Sequence, residues 1–119
     1  MTWTPARIVT EFGEDVLRDV LRDVNNLVCG NAGHGAKVNR VGCPEDVWRK
    51  LLAQGGYGPE GVEKAIAGKP LGQKDAIGPF KPYTIHTVGH LAADQGGPLS
   101  PEEFDRLLHA CLSYRQLVK

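Results

Sequence analysis

Apolar residues recur along most of the chain at steps of three, four and seven, the spacing that places them on one face of an α-helix. No segment sustains the alternation of apolar and polar residues that is typical of a half-buried strand. In the longest amphipathic segment, Asp and Arg residues stand three apart over 15–23, which predicts a solvated face of ion pairs. The five predicted helices span residues 5–29, 44–54, 59–67, 82–94 and 101–118.

A six-residue pattern marks each predicted helix start: a proline in the third place, with apolar residues in the first and sixth. Proline suits the first helical turn because its φ is fixed and its missing N–H would have no partner there. The two apolar residues are placed to form a hydrophobic staple. The clearest start is Ser100 to Glu103, which also reads as a capping box. The pattern is complete around Pro5, Pro59, Pro82 and Pro101, and it lacks only the first apolar residue around Pro44.

Length and composition fit one small globular domain. The chain has 119 residues, of which 41% are hydrophobic, enough for a single buried core. Glycines cluster at the ends of the periodic segments, although Gly13 lies inside the first one and is expected to cost about 1 kcal/mol relative to Ala. We therefore expect an all-α, compact single-domain bundle of about five helices over residues 1–119. Two long loops, 30–42 and 69–81, would connect them, and loops of that length are commonly functional.

The charge balance and the cysteines narrow the kinds of partner and the cellular compartment that the sequence fits. Lys and Arg together number 14, as do Asp and Glu, so no net field attracts nucleic acid or an anionic membrane. The three cysteines do not suggest a disulfide scaffold, although Cys29 and Cys43 could pair across the glycine-rich loop. No apolar run is long enough to span a bilayer, and the N-terminus does not resemble a signal peptide. These features predict a cytoplasmic protein without membrane association.

Residues 47–67 resemble the helix-turn-helix of bacterial repressors, because two short predicted helices flank a glycine-containing turn. This alternative makes the chain a DNA-binding regulator, with Lys64, Lys69 and Lys74 contacting phosphates. The predicted reading helix departs from the family's pattern by offering Glu60 and Glu63 to the groove, and acids repel phosphate. An ordinary helical hairpin accounts for the same pattern.

His86, His90 and Asp94 stand four residues apart in the fourth predicted helix and would share one face of it. Two histidines at this spacing can hold zinc, with a carboxylate one turn later as a third ligand. This second alternative is a small metal-dependent or Cys/His enzyme. The zincin motif is not matched, since Thr87 follows the first histidine where that motif has an acid. Surface histidines account equally for the pattern, and no cofactor is otherwise expected.

The two long loops carry the side chains that we expect to contact a partner protein. Residues 68–81 form the most basic stretch of the chain and contain interleaved apolar residues. The glycine-rich loop after Cys29 contains a histidine and a lysine, but its spacing does not match a phosphate-binding loop. The expected partner-binding residues are Lys69, Lys74, Phe80, Lys81, His34 and Lys37.

The sequence favours a non-enzymatic helical module that binds another protein as a binder, inhibitor or adaptor. The helix signals agree with one another, whereas no pairing of nucleophile with base or set of metal ligands matches a known catalytic pattern. Nucleic acid remains the possible partner under the helix-turn-helix alternative, and zinc the possible cofactor under the enzyme alternative.

Overall fold

A computed structural model describes residues 2–28, 41–69, 75 and 81–118 of the chain. This part is all-α, as predicted, and contains no strand beyond an isolated bridge between Ala92 and Leu99. Two short 3-10 helices, Val88–Leu91 and Ala93–Gln95, precede the last α-helix. Within the described residues, no helix is both long and apolar enough to cross a membrane. The α-helices are α1 (Pro5–Phe12), α2 (Glu14–Val28), α3 (Glu45–Gln54), α4 (Pro59–Ile66) and α5 (Pro101–Tyr114).

Most of the predicted helix starts are confirmed with their capping chemistry. The Thr4 hydroxyl accepts a hydrogen bond from the backbone N–H of Arg7 at 3.1 Å and so caps α1. At the start of α5, Glu103 and Ser100 each bond the other's backbone N–H, which completes the predicted capping box. Proline occupies the first turn of α1, α4 and α5, and Pro44 lies one position earlier, as the N-cap of α3.

The prediction of one continuous helix over residues 5–29 is wrong, because the chain breaks at Gly13. The backbone there has φ 99° and ψ 166°, a conformation that only glycine adopts readily. The Gly13 N–H still donates to the Val9 carbonyl at 2.9 Å, so α1 ends in an orderly way before the chain turns. This turn lets α1 pack against α2. The Trp3 and Phe12 rings stack with centroids 5.8 Å apart.

The predicted helix over residues 82–94 is also wrong. Pro82 starts no helix: residues 81–84 have no regular secondary structure, and the chain then makes a turn at 85–87 and continues as the two 3-10 helices. The cause is tertiary hydrogen bonding. The Leu99 N–H donates to the Leu91 carbonyl at 3.0 Å, and the Ala93 N–H donates to the Leu99 carbonyl at 2.7 Å. These bonds with a segment further along the chain replace the i to i+4 bonds of a regular helix.

One apolar core joins the elements, and buried polar contacts tie them together. The Trp48 indole N–H of α3 donates to the Leu27 carbonyl at 3.0 Å and satisfies a carbonyl near the end of α2. Asp23 of α2 is only 7% exposed and binds the Arg115 guanidinium through both carboxylate oxygens, at 2.8 and 3.1 Å. Arg115 lies directly after α5, which ends at Tyr114, four residues before its predicted end at 118. The most deeply buried side chains include Ile8, Val20, Val24, Val47, Leu51, Leu52, Val88, Leu91, Leu99, Leu107, Leu108 and Leu112.

Candidate functional site

A surface groove runs between α2 and the segment 83–86 that precedes the first 3-10 helix. Its volume is about 520 Å³. The walls are mostly hydrogen-bonding and charged side chains, with two apolar residues among them. The lining residues are Glu14, Arg18, Leu21, Arg22, Asn25, Asn26, Tyr83, Thr84, Ile85 and His86.

One asparagine builds the groove by holding the backbone of Tyr83 against α2. The Asn25 side-chain amide donates to the Tyr83 carbonyl at 3.0 Å, and its carbonyl oxygen accepts the Tyr83 N–H at 2.8 Å. The Tyr83 hydroxyl donates to the side-chain carbonyl of Gln54, at the end of α3, at 2.7 Å. Since both backbone groups and the ring hydroxyl are held, the wall opposite α2 is positioned by three hydrogen bonds.

A stripe of polar side chains on α2 forms the other wall. Glu14, Arg18, Arg22 and Asn26 follow one another at four-residue spacing, which places them on one helical face. The side chains of Arg18 and Arg22 are 60% and 71% exposed. Their ion pairs lie on the helix surface: Arg18 is 3.6 Å from Glu14, and Arg22 is 4.0 Å from Asp19. Exposed pairs of this kind contribute little, so either guanidinium can exchange its partner for a ligand.

A second groove lies beside α5 and has a volume of about 620 Å³. It includes Asp105, Arg106 and His109, but its charged groups are used within the fold. Asp105 accepts the backbone N–H of Trp3, and Arg106 binds Asp46 with two hydrogen bonds, one of 2.7 Å. The Arg106 hydrogen bond lowers the pKa of Asp46, so this pair is kept charged. The groove on α2 therefore offers more available charge.

The metal site predicted from sequence lacks the helix on which it depended. His86 lies in the turn at 85–87, whereas His90 and Asp94 fall in two different 3-10 helices separated by the extended residue Ala92. The three side chains therefore do not share one face of a regular helix. Across residues 2–28, 41–69, 75 and 81–118, no group of three His, Cys, Asp or Glu residues could hold a metal ion. His86 instead lines the groove on α2.

The predicted helix pair over 47–67 is formed by α3 and α4, but Lys64 is engaged within the fold. Its ammonium group lies 3.1 Å from the carboxylate of Asp75, a buried residue whose carbonyl also accepts the Gly58 N–H. A Cβ on the buried Gly61 would approach the Asp75 carbonyl oxygen to 2.9 Å. The exposed residues on α4 include Glu60 and Glu63.

Of the remaining residues predicted to bind a partner, some are described by the structure and others are not. Lys69 and Lys81 are exposed, and Lys81 lies two residues before Tyr83 of the groove wall. Lys74, Phe80, His34 and Lys37 lie outside the described residues.

The cysteines described by the structure are buried thiols. Cys111 is a free thiol, the Cys43 thiol donates to the Pro44 carbonyl at 3.5 Å, and Cys29 lies outside the described residues. Burial, followed by the nearby Asp46 charge, raises the pKa of Cys43 to about 12. Burial likewise raises the pKa of Cys111. Neither thiol is therefore prepared to act as a nucleophile, which needs the thiolate.

Sequence reasoning missed the polar stripe on α2, because the Asp and Arg repeat predicted only a solvated face. One feature of the local sequence could have indicated that α2 contacts another segment through polar side chains. Asn25 and Asn26 stand side by side within an amphipathic helix, although asparagine is disfavoured there since its side chain competes for backbone hydrogen bonds. The structure shows that Asn25 uses this capacity on another segment.

The chain matches no protein-family model, no curated protein and no solved structure. Its function is therefore inferred from the chemistry of the groove itself.

Proposed function

We propose that this chain is a non-enzymatic protein-interaction module that binds a partner protein in the groove between α2 and segment 83–86. The observation that carries the proposal is the exposed stripe of Arg18, Arg22 and Asn26 beside a wall of non-helical chain. Arginine is the residue most suited to carboxylates in protein interfaces, because its planar guanidinium donates two parallel hydrogen bonds.

The contact between Asn25 and Tyr83 supports a role in peptide binding. A side-chain amide on α2 already binds both backbone groups of one residue, at 3.0 and 2.8 Å. Asn26, the next residue, is exposed and lines the same groove, so it can offer the same pair of donor and acceptor to a second chain. The groove thus combines backbone recognition with charge recognition.

The hydroxyl groups in the groove favour binding over catalysis. Covalent catalysis by a hydroxyl requires hydrogen bonding to a base that accepts its proton. The Thr84 hydroxyl is instead within hydrogen-bond distance of the Thr87 hydroxyl, 3.1 Å away, and the Tyr83 hydroxyl bonds Gln54. His86 is the histidine in the groove lining, and neither of these bonds involves it.

We further propose that the module acts in the cytoplasm. The buried free thiol of Cys111 supports a reducing compartment, since such compartments keep thiols unpaired.

Selection from a display library of random linear peptides tests the binding function. Selected peptides are labelled and titrated with the full chain by fluorescence anisotropy, and binding is mapped by amide chemical shifts in NMR spectra. The proposal expects shifts at Arg22, Asn26 and Thr84, and an R22E variant that binds at least about tenfold more weakly. R106E is the matched control, because Arg106 lines the other groove. If selected peptides bind elsewhere, or if R22E binds as tightly as the parent chain, the groove is not the binding site.

A further inference from the structure

We infer that the ligand of this groove is an extended peptide segment with acidic side chains at alternate positions. The inference rests on the proposed binding function and names the class of ligand. It follows from the spacing of the α2 stripe and from the balance of charge along it.

The spacing of Arg18 and Arg22 on α2 matches the spacing of acidic residues at every second position of an extended peptide. Successive stripe residues on α2 are four apart, so the Cα atoms of Arg18 and Arg22 are about 6 Å apart along the helix axis. In an extended chain, side chains on the same face are two residues apart, which is about 6.5–7 Å. Two acidic residues separated by one residue therefore reach the two guanidinium groups in register. Adjacent acidic residues point to opposite faces of the segment and cannot both do so.

The length of the stripe sets the length of the ligand. From Glu14 to Asn26 the helix rises about 18 Å, which an extended chain covers with five or six residues. At one end Asn26 can bind a backbone amide of the ligand. At the other end Glu14 would repel an acid, so the alternating pair of acids lies over the centre of the stripe.

The charges that line the groove favour an acidic ligand. Two arginines and one glutamate lie in the lining, and each arginine already pairs with an acid of its own helix: Arg18 with Glu14 and Asp15, and Arg22 with Asp19. The pair between Arg18 and Asp15 measures 3.5 Å and that between Arg22 and Asp19 measures 4.0 Å, with exposed partners in both cases. A ligand carboxylate can replace such partners at small cost.

Glu14 also favours a peptide ligand over a nucleic acid. A nucleic acid carries a phosphate at every step along its backbone, so it would place charge against Glu14 as well as against the arginines. A peptide can leave that position neutral.

The test uses three synthetic octapeptides that differ only in their acidic residues: two aspartates separated by one residue, two adjacent aspartates, and asparagines at both places. Each is titrated with the full chain by fluorescence anisotropy at low and high salt. The alternating peptide is expected to bind up to about fivefold tighter than the adjacent one, since one exposed ion pair is worth at most about that factor. R18A and R22A should each remove this preference, and R106A should keep it.

The outcomes separate the ligand class from the binding function. If library-selected peptides bind at the groove but the alternating and adjacent octapeptides bind equally, the alternating pattern is wrong and the binding function stands. If no peptide binds at the groove, both fall. If a single-stranded oligonucleotide binds there more tightly than the alternating peptide, the ligand class is overturned. Circular dichroism of each variant checks that the fold is kept.

Discussion

Replacing Gly13 with alanine distinguishes the observed fold from the simplest interpretation of the sequence. If residues 5–29 formed one continuous helix, Gly13→Ala would stabilise the protein by about 1 kcal/mol, because alanine is the better helix former. The structure predicts the opposite sign. Gly13 adopts φ 99° and ψ 166° between α1 and α2, a region that alanine does not adopt without strain.

The expected magnitude follows from this conformation. A non-glycine residue held in this region costs about 1–3 kcal/mol. The reduced freedom of the unfolded chain offsets about 0.4–1 kcal/mol of that cost. No steric term is added, since a Cβ at Gly13 would meet no atom within 4 Å. The net expectation is that Gly13→Ala lowers the free energy of unfolding by about 1–2 kcal/mol.

Urea unfolding followed by circular dichroism measures the effect. With a slope of about 1–3 kcal/mol per molar urea, the midpoint should fall by roughly 0.3–2 M. Gly89→Ala is the matched control. Gly89 is not among the positive-φ glycines, and its Cβ would meet no atom within 4 Å, so this substitution should leave the midpoint unchanged or slightly raised. An increase in the midpoint for Gly13→Ala would refute the break between α1 and α2.

Three further predictions concern the rest of the described fold. Gly97→Ala should cost about 3 kcal/mol in urea unfolding, because its Cβ would lie 2.2 Å from two backbone carbonyl oxygens; an unchanged midpoint would contradict that packing. The Lys50 hydrogen bond, followed by the hydrogen bonds of the α5 cap, lowers the pKa of Glu103 from its ordinary 4.5. The contribution of Glu103 to the free energy of unfolding is therefore complete above pH 4.5, and it is lost as the pH falls through the pKa of the folded protein. The difference in melting temperature between the parent chain and Glu103→Gln should therefore shrink below pH 4.5, and a difference that stays constant would oppose this assignment. In a Cys29→Ser background, Cys43 should react with an aromatic disulfide reagent at pH 8 only after unfolding, because burial raises its pKa to about 12; rapid reaction of the native protein would show that the thiol is accessible.

The elements predicted well are those controlled by adjacent residues. Ser100 caps α5 as expected, and Thr4 caps α1 in the same way, because a cap needs only a side-chain oxygen and a backbone N–H three residues later. α4 was predicted to within one residue at its end, and α3 to within one residue at its start. These boundaries depend on proline, glycine and capping residues whose effects act over a single turn.

Apart from the break at Gly13, the features predicted wrongly or missed depend on partners further along the chain. The helix expected over 82–94 was replaced by turns and 3-10 helices because Leu99 exchanges backbone hydrogen bonds with this segment. Val88 and Leu91 are buried, as the apolar spacing predicted, but they lie on a 3-10 helix and not on an α-helix. The candidate groove was missed for the same reason: Asn25 has no local partner that reveals its contact with Tyr83, 58 residues away.

The sequence by itself determined the helical class, three helix starts with proline in the first turn, the two side-chain caps, and the apolar positions that form much of the core. All of these follow from interactions within about one turn of helix or from the spacing of apolar residues. Only the tertiary structure decided where the chain leaves the helical path, which charges are used within the fold, and which polar side chains face one another across a groove. Those outcomes depend on hydrogen bonds between residues far apart in the chain, and their geometry exists only once the core has brought the elements together.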